Sequence, residues 1–408
     1  MSGIVLSSAV RQNLLSLQST AELLSTTQNR LASGKKVNSA LDNPTNFFTA
    51  QGLDNRASDI NNLLDSIGNG VQVLQAANTG LTSLQKLVDT AKSIAAQVLQ
   101  TTTGYTVKSS ATSLAPAVVG TAADLTVGGT NSLNGKTFVF TPATGAATTI
   151  TVSSTVAAGN VNSITAFNSA LASAGLGLTA SFASDGSITL TSVNDNASQT
   201  LTTGAAAVAN NIAISGTDTA TLVTPTGGAA GQPLADANSQ VTRANLVSQY
   251  NNIIAQITTT SQDASFNGIN LLFGDDLKLT FNETGKSTLN ISGVTYDAAG
   301  LGLAPLTAGT NFLDNSSANA VIAKVSAASD QLRSEASALG SNLSIVQIRQ
   351  DFAKNLINVL QTGSANLTLA DTNEEAANSQ ALSTRQSIAV SALALSNQSQ
   401  QSVLQLLH

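Results

Sequence analysis

The 408-residue chain has no cysteine, no tryptophan, one methionine and one histidine. Without cysteine it can form no disulfide, iron–sulfur cluster or thiolate zinc site. The only histidine is the last residue, His408, with no second imidazole to share a metal. The zinc-protease pattern His-Glu-x-x-His therefore cannot occur. Charge is scarce too, at 10% of residues against about a quarter in ordinary globular chains. The net charge is −6, and Lys and Arg form no cluster of the kind a nucleic-acid surface needs. No run of 18 apolar residues exists, so no membrane insertion is expected. The start, MSGIVLSSAVRQNLL, lacks a basic region followed by a continuous apolar core, which taken alone points to the cytosol. No catalytic, cofactor-binding or metal-binding residue emerges. The expectation is a structural protein, not an enzyme. With 42% hydrophobic residues and few charges, its surface suits coverage by copies of itself.

The six prolines stand at 44, 116, 142, 225, 233 and 305, leaving 1–43, 45–115 and 306–408 free of the strongest helix breaker. Of the 30 glycines, 22 fall between 101 and 317. The ends therefore read as helix and the middle as strands and turns. Val10, Leu14, Leu17, Ala21, Leu24, Gln28 and Leu31 repeat at spacings of 4 and 3, a heptad seam with one polar interruption, ending at Gly34. A longer seam runs through Ile60, Leu64, Ile67, Val71, Leu74, Asn78, Leu81, Gln85 and Val88, although Gly68, Gly70 and Gly80 weaken that helix. The middle holds strand-like runs at Phe138–Phe140, Thr149–Val152 and Ser187–Thr191, a short helix over Ile164–Ala174, and a poorly specified stretch near 203–232. Helix resumes over 236–262. Lys278–Phe281 and Thr288–Ile291 form a hairpin pattern around Asn282-Glu283-Thr284-Gly285. A helix over 316–362 follows, with Leu343, Val346, Ala353, Ile357 and Leu360. After Gly363 the spacing predicts a last helix with Ile388, Ala392, Leu395, Ser399, Ser402 and Leu406 on one line, and Val403 beside it.

An isolated arm of this kind is marginal in water, because ordering its backbone costs more than its few seam side chains return. Each arm needs a partner. The pattern alone permits either a bundle within one chain or a polymer of many.

The flanking motifs narrow this choice. RLASGKKVNSALDNP (Arg30–Pro44) resembles the signature of bacterial flagellins, in which a helix stops at Ser-Gly before a basic pair, Val-Asn-Ser-Ala and an Asp-rich turn. VQVLQAANTGLTSL (Val71–Leu84), ASFNGINLL (Ala264–Leu272) and DTNEEAANSQALSTRQSI (Asp371–Ile388) are similar to further family segments, and NQSQQSVLQLL (Asn397–Leu407) to the family's ending. The resemblance covers about 4–100 and 236–407.

It implies a fold that is mainly α at both termini, with long coiled-coil-like helices forming a helical core with a β-hairpin, and a central β-rich α+β insertion projecting outward. The implied organisation is an inner-core arm over 1–43, core helices over 44–102, an outer domain over 103–235, core helices and hairpin over 236–365, and a second inner-core arm over 366–408. The implied role is the subunit of the extracellular flagellar filament, a helical homopolymer. The resemblance further implies export, unfolded and without a cleaved signal, through the flagellar type III channel. Its implied partners are an export chaperone on the C-terminal arm and the filament cap and hook-junction proteins. A hook–filament junction protein shares the terminal architecture and is the alternative.

Val10, Leu14, Leu17, Ala21, Leu24, Leu31, Ile388, Ala392, Leu395, Val403 and Leu406 are the expected subunit-packing residues. Asn38, Asp42, Asn267, Gly268, Asn270, Asp371 and Glu374 are the motif positions. Asn38, just past a helix stop, is either a left-handed cap or a subunit contact. Asn267-Gly268 is a tight turn. Asp371, Glu374 and Glu375 favour a helix N-terminus through its dipole, with polar contact between subunits as the lesser alternative. Many flagellins carry LQRVRELAVQ, the segment read by an animal innate-immune receptor. Here Val88–Gln97 is VDTAKSIAAQ, with Thr90, Lys92 and Ser93 in place of Arg, Arg and Glu. Bidentate guanidinium contacts would be lost, so weak receptor activation is expected.

Overall fold

A computed structural model describes residues 8–406 other than 114, 117, 130–131, 144, 156, 204–210 and 217–232. Most of the stretch near 203–232 thus lies outside the described residues. Two helices open the chain, α1 (Ser8–Ser33) and α2 (Pro44–Gln100). The insertion contains β1 (Tyr105–Val107), β2 (Ser110–Thr112), β3 (Thr137–Pro142), β4 (Thr148–Val152), β5 (Asn160–Val161), α3 (Ile164–Ser173), β6 (Leu178–Phe182), β7 (Ile188–Ser192), β8 (Thr200–Thr203), β9 (Asn211–Ser215) and β10 (Leu234–Ala235). Then come α4 (Ala237–Asp263), the hairpin β11 (Leu277–Thr280) and β12 (Thr288–Ile291), α5 (Asn315–Thr368) and α6 (Thr372–Leu406). The helical ends and β-rich middle expected from proline and glycine placement are both present.

The chain divides into two compact units. One comprises Met1–Gln72, Lys278–Ile291 and Asn342–His408. Its core includes Ala57, Ile60, Ala353, Ile357 and Leu360, all buried, which brings the expected faces of α2 and α5 together. The hairpin strands lie on the same two helices. Arg56 pairs with Glu283 at 2.8 Å, the Arg349 guanidinium sits 5.7 Å from the Phe281 ring centre, and Gly70 leaves room for the Leu279 side chain. Gly363 does not end α5, contrary to the reading of the sequence. The helix continues to Thr368, and a Cβ at Gly363 would make ordinary van der Waals contact with Leu53 Cδ1 at 3.4 Å, so this glycine is an interior residue of α5 facing α2.

The other unit comprises Val73–Leu277 and Ser292–Ser341. In it the sheet order β5-β4-β3-β9-β8 is mixed, with β4–β5 and β8–β9 parallel, while β2-β7-β6 is antiparallel. Alternation along β3 turns Phe138 and Phe140 inward onto Phe167 of α3, at ring distances of 5.2 and 6.4 Å. Ser163 caps α3 by accepting from the Ala166 N–H. At the end of α4, the expected tight turn is present: Asn267 (φ 51°) and Gly268 (φ 81°) both occupy the left-handed region. Phe266 and Ile269 exchange two backbone hydrogen bonds across them. Asn270 is buried beside this turn. Its Nδ2 donates to Ser261 O (2.8 Å) and Gln262 O (2.9 Å), satisfying the last carbonyls of α4, and its Oδ1 accepts from Leu272 N–H.

Two helical glycines should respond oppositely to alanine. A Cβ at Gly80 would meet Ala264 Cβ at 2.6 Å and Leu272 Cδ1 at 2.7 Å, whereas one at Gly340 would meet nothing within 4 Å. Alanine gains about 1 kcal/mol of helix propensity at either site, and overpacking costs about 1–3 kcal/mol. Gly340→Ala should raise the denaturant midpoint of the monomer, and Gly80→Ala should lower it.

Candidate subunit-packing surfaces

The two ends of the chain are tied by backbone. Gly34, at φ 69°, releases α1 from its helical path. The segment after it then pairs with the α5–α6 link: Lys36 N–H donates to Thr368 O (2.7 Å), Val37 N–H to the same oxygen (3.2 Å), and Ala370 N–H to Gly34 O (3.0 Å). The Val37 side chain is buried under this crossing. One turn away, Arg30 Nη1 meets Glu375 Oε1 at 3.3 Å. Asp371 caps α6 by accepting from Asn373 N–H (2.9 Å) and Glu374 N–H (3.4 Å), with Glu374 and Glu375 in the positively polarised first turn. The end of α1 thereby faces the start of α6, and the helices run antiparallel against each other.

Val10, Leu17 and Leu24 face α6, as their spacing predicts. The rest of the seam is rotated by one residue. Thr20 and Thr27 are the buried α1 partners, while Leu14 and Leu31 stay 36% and 39% exposed. On α6 the inward line is Glu375, Ser379, Leu382, Gln386, Ala389, Leu393 and Ser396, again a heptad, one position removed from the expected line. Counting away from the Arg30–Glu375 pair brings Leu24 within one residue of Leu382 and Leu17 within one residue of Ala389. Ile388 and Leu395 are 64% and 69% exposed and Ala392 is also exposed, so they do not form the seam within the chain. The side chains of Val403 and Leu406 lie outside the described residues. Each arm thus uses one heptad face, half of it polar, to bind its own partner helix, and turns apolar residues outward. Leu15, Leu23 and Val390 join the outward set, and Ile345, Ile348, Phe352 and Val359 make a similar exposed line on α5 that the sequence reading missed.

Asn38 is not a left-handed cap; Gly34 takes that role. Asn38 instead belongs to a loop organised by Asp42, whose Oδ2 accepts from Asn38 N–H (3.0 Å), Ser39 N–H (2.8 Å) and Ser39 Oγ (3.1 Å). These bonds, the Ser39 amide foremost, hold the Asp42 carboxyl below its ordinary value. Thr90, Lys92 and Ser93 are exposed on α2, with Thr90 Oγ1 bonded back to Lys86 O. Among the described residues, no helix is long and apolar enough to cross a membrane.

The molecule is therefore a chain whose two terminal segments fold together as antiparallel helices on either side of a long, β-containing interruption. Its residues 5–138 match the family model for the bacterial flagellin N-terminal helical region, and residues 322–407 match that for the bacterial flagellin C-terminal helical region. The chain belongs to the bacterial flagellin family. Residues 139–321, with the ASFNGINLL motif and the hairpin, lie outside both matches. Flagellin FljM of Caulobacter vibrioides is 32% identical over 163 residues, which are 40% of this chain and 58% of that protein. Flagellin FljK of the same organism is 31% identical over the same shares, and flagellin A of Rhizobium meliloti is 38% identical over 88 residues, 22% of each chain. The chain spans about 58% of the length of the Caulobacter relatives it matches.

The Asp42 loop gives a pH test. A carboxyl held low in the folded state adds stability above its unfolded value, 3.8, and loses that contribution as pH falls through the lower folded value. NMR titration should find Asp42 ionising below 3.8, and Asp42→Asn should remove this step from the pH dependence of stability.

Proposed function

We propose that this chain is the structural subunit of a bacterial flagellar filament, self-assembling into a helical homopolymer for swimming motility. The observation that carries the reading is the double use of the arms. Val10, Leu17 and Leu24 serve the pairing within one chain. That leaves Leu14, Ala21, Leu31, Ile388, Ala392 and Leu395 for contacts between subunits, with Val403 and Leu406 continuing the C-terminal arm. Apolar lines on paired helices are what a repeating, non-closing contact between identical subunits needs. Family membership supports the same role. On this reading the chain leaves the cell unfolded through the flagellar type III channel, with a chaperone covering its C-terminal arm. It meets the hook-junction and cap proteins at the ends of the extracellular filament.

Leu14→Asp with Leu31→Asp, or Ile388→Asp with Leu395→Asp, should leave a monomer with native helical content that forms no filaments by negative-stain microscopy after seeding. The exposed polar control Gln18→Asp should assemble. Normal filaments from both double variants would contradict the proposal. Purified monomer should also activate the animal receptor weakly, because Thr90, Lys92 and Ser93 supply no guanidinium fork. A potent response in a receptor-reporter assay would contradict that part.

A further inference from the structure

The insertion leaves the helices at residues 101–104 and returns at 233–236. The strands that pair the two crossings are β1 and β10, which are short and have a register interrupted by a bulge. A two-stranded ribbon of this size is marginal by itself, so alone it would leave the insertion free to hinge.

A buried guanidinium lies at this neck. Arg243, on the first turns of α4, is 1% exposed. Its Nη1 donates to Phe312 O (3.1 Å), and its Nη2 donates to Thr102 O (3.1 Å) and Asn315 Oδ1 (3.3 Å), joining α4 to the end of α2 and the start of α5. Gln240 Nε2 and Asp236 N–H both donate to Gly104 O, at 2.8 and 3.0 Å. A Cβ at Gly104 would press on Leu313 O at 2.7 Å, so only glycine lets the crossing chain lie this close. Beside the guanidinium sits the buried carboxylate of Asp314, and the two charges act on each other. Burying a charge costs less as more of its hydrogen-bonding capacity is met.

Part of the carboxylate's bonding is local, Ser317 N–H donating to Asp314 Oδ1 at 3.0 Å, and the rest comes from inside the insertion, far from the neck in sequence. Ser198 Oγ donates to Asp314 Oδ2 at 2.5 Å and Ser198 N–H to the same oxygen at 3.3 Å. Asn315 Nδ2 donates to Asp195 Oδ1 at 2.9 Å, and Lys108 Nζ to Asn194 Oδ1 at 3.0 Å. The contact division of the chain likewise places the insertion with α4 and the start of α5, not apart from them.

We propose that Arg243, Asp314 and Asn315 form a clasp for the turn at 194–198, a third attachment that converts the hinged neck into a fixed mount for the insertion. This goes beyond filament assembly and is tested on the monomer, so it stands or falls separately from that reading.

The absence of native cysteine permits a direct measurement. Spin labels on Ser181→Cys in the insertion and Ser334→Cys on α5 report the orientation of one against the other. Both positions are exposed. In the otherwise unchanged full-length monomer the distance distribution should be narrow. Adding Asp195→Ala and Ser198→Ala, which leaves every neck side chain in place, should broaden it about twofold. Arg243→Lys, which cannot span Thr102, Phe312 and Asn315 at once, should broaden it similarly. An unchanged width in the Asp195→Ala, Ser198→Ala protein would overturn the clasp. So would a broadening accompanied by loss of amide-exchange protection in β3 and β9, since the insertion itself would then have unfolded.

Discussion

Three backbone hydrogen bonds between residues 34–37 and 368–370 set the arrangement of the chain ends. They fix where α1 stops and α6 starts, and they make the two helices antiparallel. The Arg30–Glu375 pair and the Asp371 cap then settle the register from which both heptads are counted. Ends more than 300 residues apart in sequence become one structural element, and the whole insertion becomes a loop between its halves.

The composition of the seam explains why pairing is not the end of the matter. Its apolar positions, Val10, Leu17, Leu24, Leu382, Ala389 and Leu393, alternate with Thr20, Thr27, Ser379 and Gln386. A strip of that kind gives specificity of register with modest burial. An equal number of large apolar side chains, Leu14, Leu15, Leu23, Ile388, Val390 and Leu395, is exposed. The pair is thus weakly held inside and adhesive outside, the combination expected of a subunit completed by its neighbours.

Much of this was legible in the residues. Proline and glycine placement separated helical ends from the β-rich middle. The long α2 seam, the hairpin and the Asn267-Gly268 turn each follow from local chemistry acting over a few residues. The one-residue rotation of the arms was not legible, because α6 carries two overlapping heptads. Ile388-Ala392-Leu395 and Ala389-Leu393-Ser396 fit the spacing equally well, and only the distant partner chooses between them. Gly363 misled for a related reason: a glycine in the interior of a packed helix looks in sequence like one that ends a helix. Asn38, read as either a cap or a subunit contact, is not the cap, because Gly34, four residues earlier, takes the left-handed position. The Arg243–Asp314 clasp assembles residues from four separated segments, and no local pattern announces it.

The claim on which the account rests is that one face of each arm is used within the chain and the other between chains. A single cysteine at Ile388, unique in this cysteine-free sequence, reports on it through its reactivity toward a thiol reagent. Labelling should be rapid in the monomer and strongly suppressed in sheared, washed filaments. Equal labelling in both states would contradict the claim.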